Sequence, residues 1–272
     1  MNRIDQRFAE FRAAKRPGLV SFVTAGDPHP SLSVAVMQAL VRHGSDVIEL
    51  GMPFSDPMAD GPVIQHANER ALAKGVNLEH VLETLRGFRE IDQRTPVVLM
   101  GYLNPIERFG FDRFASAAHA AGADGMLLVD CPMEESGDYA DTLARLNLRQ
   151  IYLIAPTTPP ERRKRITEHA SGFLYYVSFK GITGAAHLEY APAIEALREL
   201  QRMTQIPIAV GFGIKDAAGA ALLGAHADAV VIGSALVERL AGAVDVADID
   251  ARLGAFLPAI RAALDATQKQ AA

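Results

Sequence analysis

Eight short runs rich in β-branched residues recur along the chain, and their alternation with helical segments restricts the fold more than any other feature. The runs are Leu19–Ala25, Asp46–Leu50, Pro96–Gly101, Gly125–Val129, Gln150–Ala155, Phe173–Ser178, Pro207–Val210 and Asp228–Ile232. Each is almost continuously apolar, as a strand covered on both faces of a parallel sheet tends to be. Between them the apolar residues fall three and four apart, which predicts helices. Examples are Leu32–Val41, Leu78–Ile91, Phe111–Ala121, Tyr139–Leu146, Pro160–His169, Ala193–Met203, Ala217–Leu223 and Ala247–Ala263. A β-α alternation of this kind predicts a parallel sheet with crossover helices. Spread over 272 residues, eight repeats take about 34 residues each, which suits a βα pair. The expectation is an α/β fold, a single (β/α)8 TIM barrel over residues 1–272. An open doubly wound sheet is the competing arrangement. Ile4, Phe8 and Phe11 add an extra amphipathic N-terminal helix, ended by Pro17–Gly18.

Composition narrows the class of activity. Apolar residues make up 49% of the chain, enough for a core without staples. The net charge of −5, from 27 basic and 32 acidic residues, argues against nucleic-acid binding. It leaves room for a small anion, because backbone amides and helix ends bind phosphate without side-chain charge. Cys131 is the only cysteine, so no disulfide within the chain and no cysteine-based metal cluster is expected. The histidines show no H-E-x-x-H spacing, so no metal site is expected. No run approaches a membrane span and the N-terminus lacks the apolar region of a signal peptide, so a cytoplasmic protein is expected.

In a barrel the chemistry sits at the C-terminal ends of the strands and in the loops that follow. Glu49 is a charge inside the apolar second strand. A buried carboxylate must find a partner or shift its pKa upward. The loop after it carries Asp56 and Asp60 among prolines and a glycine, with helix entry signalled at Asp60-Gly61-Pro62. Asp60 then reads either as a helix N-cap or as a chemical group, and Asp56 as a turn former or a weaker candidate. Two carboxylates in different surroundings can divide acid and base roles. Glycine-rich turns follow strands six, seven and eight, at Gly181–Gly184, Gly211–Gly213 and Gly233–Ser234. Backbone N–H groups at such turns can approach a phosphate. Tyr175 and Tyr176 point to opposite faces, so one of them enters the barrel. Lys180 is either a solvated loop lysine or a Schiff-base former. Cys131 reads as a packing residue.

The wording of the loops goes further. The segments ELGMPFSDPMADGPVIQ (49–65), MGYLNPI (100–106), APTTP (155–159), YYVSFKGITG (175–184), VGFGI (210–214) and VIGSALV (231–237) resemble the tryptophan synthase alpha chain. The likeness runs in register over nearly the whole chain. It implies a lyase that cleaves indole-3-glycerol phosphate to indole and glyceraldehyde 3-phosphate by a retro-aldol reaction, with no cofactor in this chain. It implies that Glu49 is the acid/base residue, that Asp60 accepts the indole N–H, and that Tyr175 lies beside them. By the same likeness Phe22, Leu99, Met100 and Leu127 enclose the indole ring, Thr183 binds substrate, and Gly184, Phe212, Gly213, Gly233 and Ser234 bind its phosphate. The implied partner is the beta chain, which carries pyridoxal phosphate, in an alpha2beta2 complex. Pro53, Asp56, Asn104 and Asp130 match the docking region.

Two departures stand out. Phe179-Lys180 replaces a common Arg-Ala pair, and Asp130-Cys131-Pro132 replaces the commoner D-L-P. Two other readings stay open: an aldolase using Lys180, and a weakly active chain kept as a regulatory binding subunit.

Overall fold

The computed structural model describes residues 1–177, 190–211 and 213–267. Eight parallel strands close into a barrel in sequence order. They are β1 (Gly18–Thr24), β2 (Val47–Gly51), β3 (Val97–Gly101), β4 (Gly125–Leu128), β5 (Arg149–Ile154), β6 (Leu174–Val177), β7 (Ile208–Gly211) and β8 (Ala229–Ile232). Closure is made by β8 pairing β1, with Gly18 opposite Ala229 and Val20 opposite Val231. The barrel is therefore the outcome, and the open doubly wound sheet is excluded. Each described strand begins and ends within one or two residues of its apolar run.

Helices cover the outside. Before β3 come α1 (Arg3–Ala14), α2 (Ser33–Arg42), α3 (Pro62–Ala73) and α4 (Leu78–Arg89). Then follow α5 (Leu103–Phe109), α6 (Phe111–Ala121), α7 (Gly137–Arg145), α8 (Pro160–His169) and α9 (Ala191–Met203). The last are α10 (Ala217–Gly224), α11 (Ser234–Leu240), α12 (Val246–Gly254) and α13 (Leu257–Ala266). The expected helix Ala247–Ala263 is two helices. Pro258 sits in the first turn of α13, where its missing N–H is tolerated, and the chain turns at Phe256 before it. Among the described residues, no helix is long and apolar enough to cross a membrane.

Alternation along the strands sorts side chains into two cores. Outward residues such as Leu19, Ile48, Leu99 and Met126 pack under the helices. Cys131 joins that layer and is 4% exposed, as a packing residue should be. Inward residues such as Val20, Val47, Val98, Leu127, Ile151 and Val231 fill the barrel. The extra helix α1 plugs the lower end of this inner core with Ile4, Phe8 and Phe11. Asn2 caps it by accepting the Ile4 N–H at 2.8 Å, and Lys15 ends it in the left-handed conformation. The inner core thus has a hydrocarbon floor, and its open end faces the loops after the strands.

The bottom rim is tied by charge. Asp124 pairs with Arg89 at 2.8 Å and Arg3 at 2.9 Å, and also accepts the Val97 N–H at 2.8 Å. Three more Arg89 bonds go to the carbonyls of Gly122, Asp92 and Thr95. These contacts hold β3 and β4 at the end opposite the candidate site.

Candidate active site

Glu49 lies on the inner face of β2, opposite Phe22 on β1 and Val98 on β3. It is 0% exposed, and neither carboxylate oxygen has a hydrogen-bond partner among the described residues. The floor beneath it is hydrocarbon, so burial alone pushes its pKa up to about 8. At neutral pH this carboxyl holds its proton, as a general acid must.

Asp60 sits above the mouth at the end of the loop after β2. It does not cap α3: the N-cap is Gly61, and no side chain closes that helix end. The loop itself holds the carboxylate. The Asp60 N–H donates to the Pro57 carbonyl at 3.0 Å, and Gln65 Nε2 donates to the Asp60 carbonyl at 2.8 Å. The Asp60 side chain accepts from Asn68 at 3.5 Å and from the Tyr102 hydroxyl. Partial burial outweighs these donors, and the pKa rises to about 6. The two carboxyls therefore differ by about two units, Glu49 protonated and Asp60 mostly ionised at pH 7.

Tyr175 is the inward member of its pair, and Tyr176 packs into the outer core. Burial first, then the Glu49 and Asp60 charges, push the Tyr175 phenol well above its ordinary range. Its ring lies across Gly211, where a Cβ would meet the phenol oxygen at 2.5 Å. Gly211 is thus a space requirement for the tyrosine.

Apolar groups line the mouth. Phe22 is 5% exposed and packs with Ala67 of α3 and Val237 of α11. Its ring crosses Gly51, where a Cβ would come within 2.7 Å. Met100 bridges this cluster and the inner core. Leu127 lies in the inner core below. Leu99 does not join them: it faces outward on β3 into the helix layer. The period of two puts Val98 and Met100 inside, so their neighbour must point away. Val129 and Leu153 pack against the inner core instead. They were not singled out from the sequence, although counting two residues on from Leu127 and Ile151 finds them.

On the opposite side of the mouth, Gly213 is exposed at φ +60, with nothing within 4 Å of the Cβ position. Gly233 is the N-cap residue of α11 and Ser234 its first residue. Thr183, Gly184, Phe212 and Lys180 lie outside the described residues.

Among the expected docking residues, Asp56 and Asn104 are exposed and Asp130 is half-buried. Pro53 is buried at the foot of its loop, where it lines a groove of about 500 Å³ with Phe54, Asn104 and Phe109. It shapes this edge from below. Tyr102 and Asn68, the donors to Asp60, were also missed. Each is an ordinary residue type in sequence, and the barrel alone brings them to Asp60.

Comparison with known proteins agrees with this geometry. Residues 8–256 match the family model described as tryptophan synthase alpha chain. A tryptophan synthase alpha chain from Laribacter hongkongensis is 56% identical over 266 residues, covering 98% of this chain and 100% of that one. One from Burkholderia thailandensis is 52% identical over 272 residues, covering both chains fully. A crystal structure of tryptophan synthase subunit alpha from Legionella pneumophila superposes with a TM-score of 0.89 at 43% identity, covering 97% of this chain and 99% of that one. This chain belongs to the tryptophan synthase alpha chain family.

Proposed function

We propose that this chain, as a single barrel domain, is the carbon–carbon lyase that cleaves indole-3-glycerol phosphate to indole and glyceraldehyde 3-phosphate. The observation that carries the reading is the carboxyl pair at the mouth: Glu49 buried and protonated, Asp60 partly buried and ionised. Glu49 donates its proton to the ring carbon that bears the side chain. The positive charge that develops on the indole nitrogen is balanced by ionised Asp60, which accepts a hydrogen bond from the N–H while the proton stays on nitrogen. Ionised Glu49 then takes the proton of the glycerol hydroxyl next to the bond. That oxygen becomes the aldehyde carbonyl, the C–C bond breaks, and its electron pair restores the indole ring. Glu49 ends with its proton back, so the cycle balances with no metal, Schiff base or organic cofactor.

Phe22, Met100 and Leu127 supply the apolar walls for the indole. Tyr175 supports the pair from β6. Gly213 offers open backbone, and Gly233 and Ser234 stand at the start of α11, for the phosphate. Thr183, Gly184 and Phe212 are assigned to substrate by family likeness.

The same reading gives the chain a partner, the pyridoxal-phosphate beta chain, in an alpha2beta2 complex in the cytoplasm. Asp56, Asn104 and Asp130 form the docking edge, with Pro53 beneath them. The test is indole release from indole-3-glycerol phosphate, with and without a beta chain, for the native chain and Glu49→Gln. Release by the native chain and none by the folded variant is expected. Full activity of the variant removes Glu49 from the mechanism.

A further inference from the structure

Asn68 exchanges no proton with the substrate, yet its buried amide reaches Asp60. It lies on α3 and is 4% exposed. Its Nδ2 donates to Asp60 Oδ2 at 3.5 Å. Only the NH2 end of an amide can face an ionised carboxylate, so the charge of Asp60 fixes which way Asn68 points. The distance is at the outer edge of the hydrogen-bonding range. Bonds to catalytic groups commonly shorten once the reacting complex forms. Three residues earlier, Gln65 Nε2 donates to the Asp60 carbonyl at 2.8 Å. Residues three apart share one face of a helix. One face of α3 therefore holds Asp60 twice, by its backbone and by its carboxylate. The rest of α3 is fastened to β1. Ala67 and Ala71 are 0% exposed, and Ala67 packs on Phe22. Farther along, Arg70 grips Asp27 with two bonds, Nε to Oδ1 at 2.7 Å and Nη2 to Oδ2 at 2.9 Å. Such a fork fixes angle as well as distance. Lys74 Nζ donates to the Pro28 carbonyl at 2.5 Å. Asp27 and Pro28 follow β1, the strand that carries Phe22. α3 is thus a strut between a wall of the indole pocket and the group that meets the indole nitrogen.

We propose that Asn68 is a positioning residue that aims the Asp60 carboxylate at the ring nitrogen, with Gln65 and α3 holding that aim relative to Phe22. This rests on the lyase reading and adds to it the determinant of indole N–H recognition. The terminal torsion of an aspartate is broad, so a carboxylate left to itself presents its oxygens in many directions. A donor fixed in a helix removes that freedom before the substrate arrives, and the cost of ordering is not charged to binding or to the transition state.

The test compares two ligands that cannot be cleaved. One is 3-(indol-3-yl)propyl phosphate, the substrate skeleton without its hydroxyls. The other is the benzothiophene counterpart, with sulfur in place of the ring N–H. The ratio of their dissociation constants reads the bond from N–H to Asp60, because the apolar walls and the phosphate are common to both. The native chain should prefer the indole ligand by roughly ten-fold or more. Asn68→Ala should lower that preference by about three-fold or more while the benzothiophene affinity stays native. Its loss of kcat should exceed its rise in KM, since the charge on the nitrogen develops only during reaction. A native preference in the folded variant overturns the proposal. Equal weakening of both ligands also overturns it, because Asn68 then only packs α3. Gln65→Met is the second variant, at a half-buried position, and serves if Asn68→Ala does not fold. It too should lower the preference, and a native ratio there overturns the hold by α3. Binding of neither ligand by the native chain refutes the lyase reading by itself. The carbon-13 titration of the Asp60 carboxyl then judges the contact. Tyr102 after β3 and Tyr175 from β6 also face Asp60 and stay in place in Asn68→Ala. Loss of the amide donor should therefore move that titration upward, and an unmoved titration overturns the contact.

Discussion

Replacing Glu49 with Gln should raise stability while abolishing activity, and the gain should grow with pH. The carboxyl has an ordinary pKa of 4.5 and about 8 in the folded chain, so the folded state holds its proton over a range where the unfolded state has released it. The sign follows. Below pH 4.5 both states are protonated and Glu49 does no harm. As pH rises toward 8 the unfolded chain ionises freely and the folded one does not, so stability is lost steadily. Each unit is worth roughly 1.4 kcal/mol, giving a loss of roughly 3 kcal/mol at pH 7 and roughly 5 kcal/mol above pH 8. Gln cannot ionise, so the variant escapes this loss. It brings a buried amide with the same lack of partners, a cost that does not change with pH. The slope of the difference is therefore the diagnostic. Thermal melts of both proteins from pH 5 to 9 should diverge as pH rises. The pH-dependent part of the gap at pH 7 should be roughly 6–12 °C for a chain of this size. Glu49→Met, of similar volume and apolar, should show the same divergence. A gap that stays constant with pH, or narrows as pH rises, refutes the idea that burial against a hydrocarbon floor holds the proton on Glu49.

Three further outcomes follow from other parts of the molecule. The pH profile of kcat/KM for indole release should be bell-shaped, falling below about 6 as Asp60 gains a proton and above about 8 as Glu49 loses its own; Asp60→Asn should remove the acidic limb. Gly211→Ala should lower kcat/KM by about ten-fold or more, since its Cβ would stand 2.5 Å from the Tyr175 oxygen and misplacement near 1 Å can cost up to about a hundred-fold. A melting curve close to native would tie that loss to the site. Arg89→Met should lower stability by about 3–5 kcal/mol, because Asp124 is left buried with less compensation. Urea unfolding measures this loss, while activity per folded molecule should stay native, because the pair lies at the opposite end of the barrel.

Several of the expectations failed in ways that have physical causes. Leu99 was assigned to the indole wall, but its neighbours Val98 and Met100 take the inner positions, and a strand cannot turn adjacent residues to one face. Asp60 looked equally like a helix cap, yet Gly61 holds that place and leaves the carboxylate to Asn68 and Tyr102. The short helix Leu103–Phe109 escaped notice because seven residues starting directly from a strand show too little periodicity.

The sequence by itself determined that the sheet is parallel, and the pairing of β8 with β1 in the tertiary structure decided for the closed barrel over an open sheet. Eight apolar runs with helices between them force parallel pairing, because only crossover helices can cover both faces of such strands. It also marked Glu49, since a carboxylate inside an apolar strand is costly enough to need a reason. Tertiary structure decided what that carboxylate is. Its protonation depends on the floor built by Ile4, Phe8 and Phe11 from a helix far away in sequence, together with the inner layer of the barrel. It also decided the partners of Asp60, which come from the residue after β3 and from α3 and meet only when the barrel closes. A pKa and a hydrogen-bond network sum over neighbours in space, and periodicity along the chain does not carry that sum.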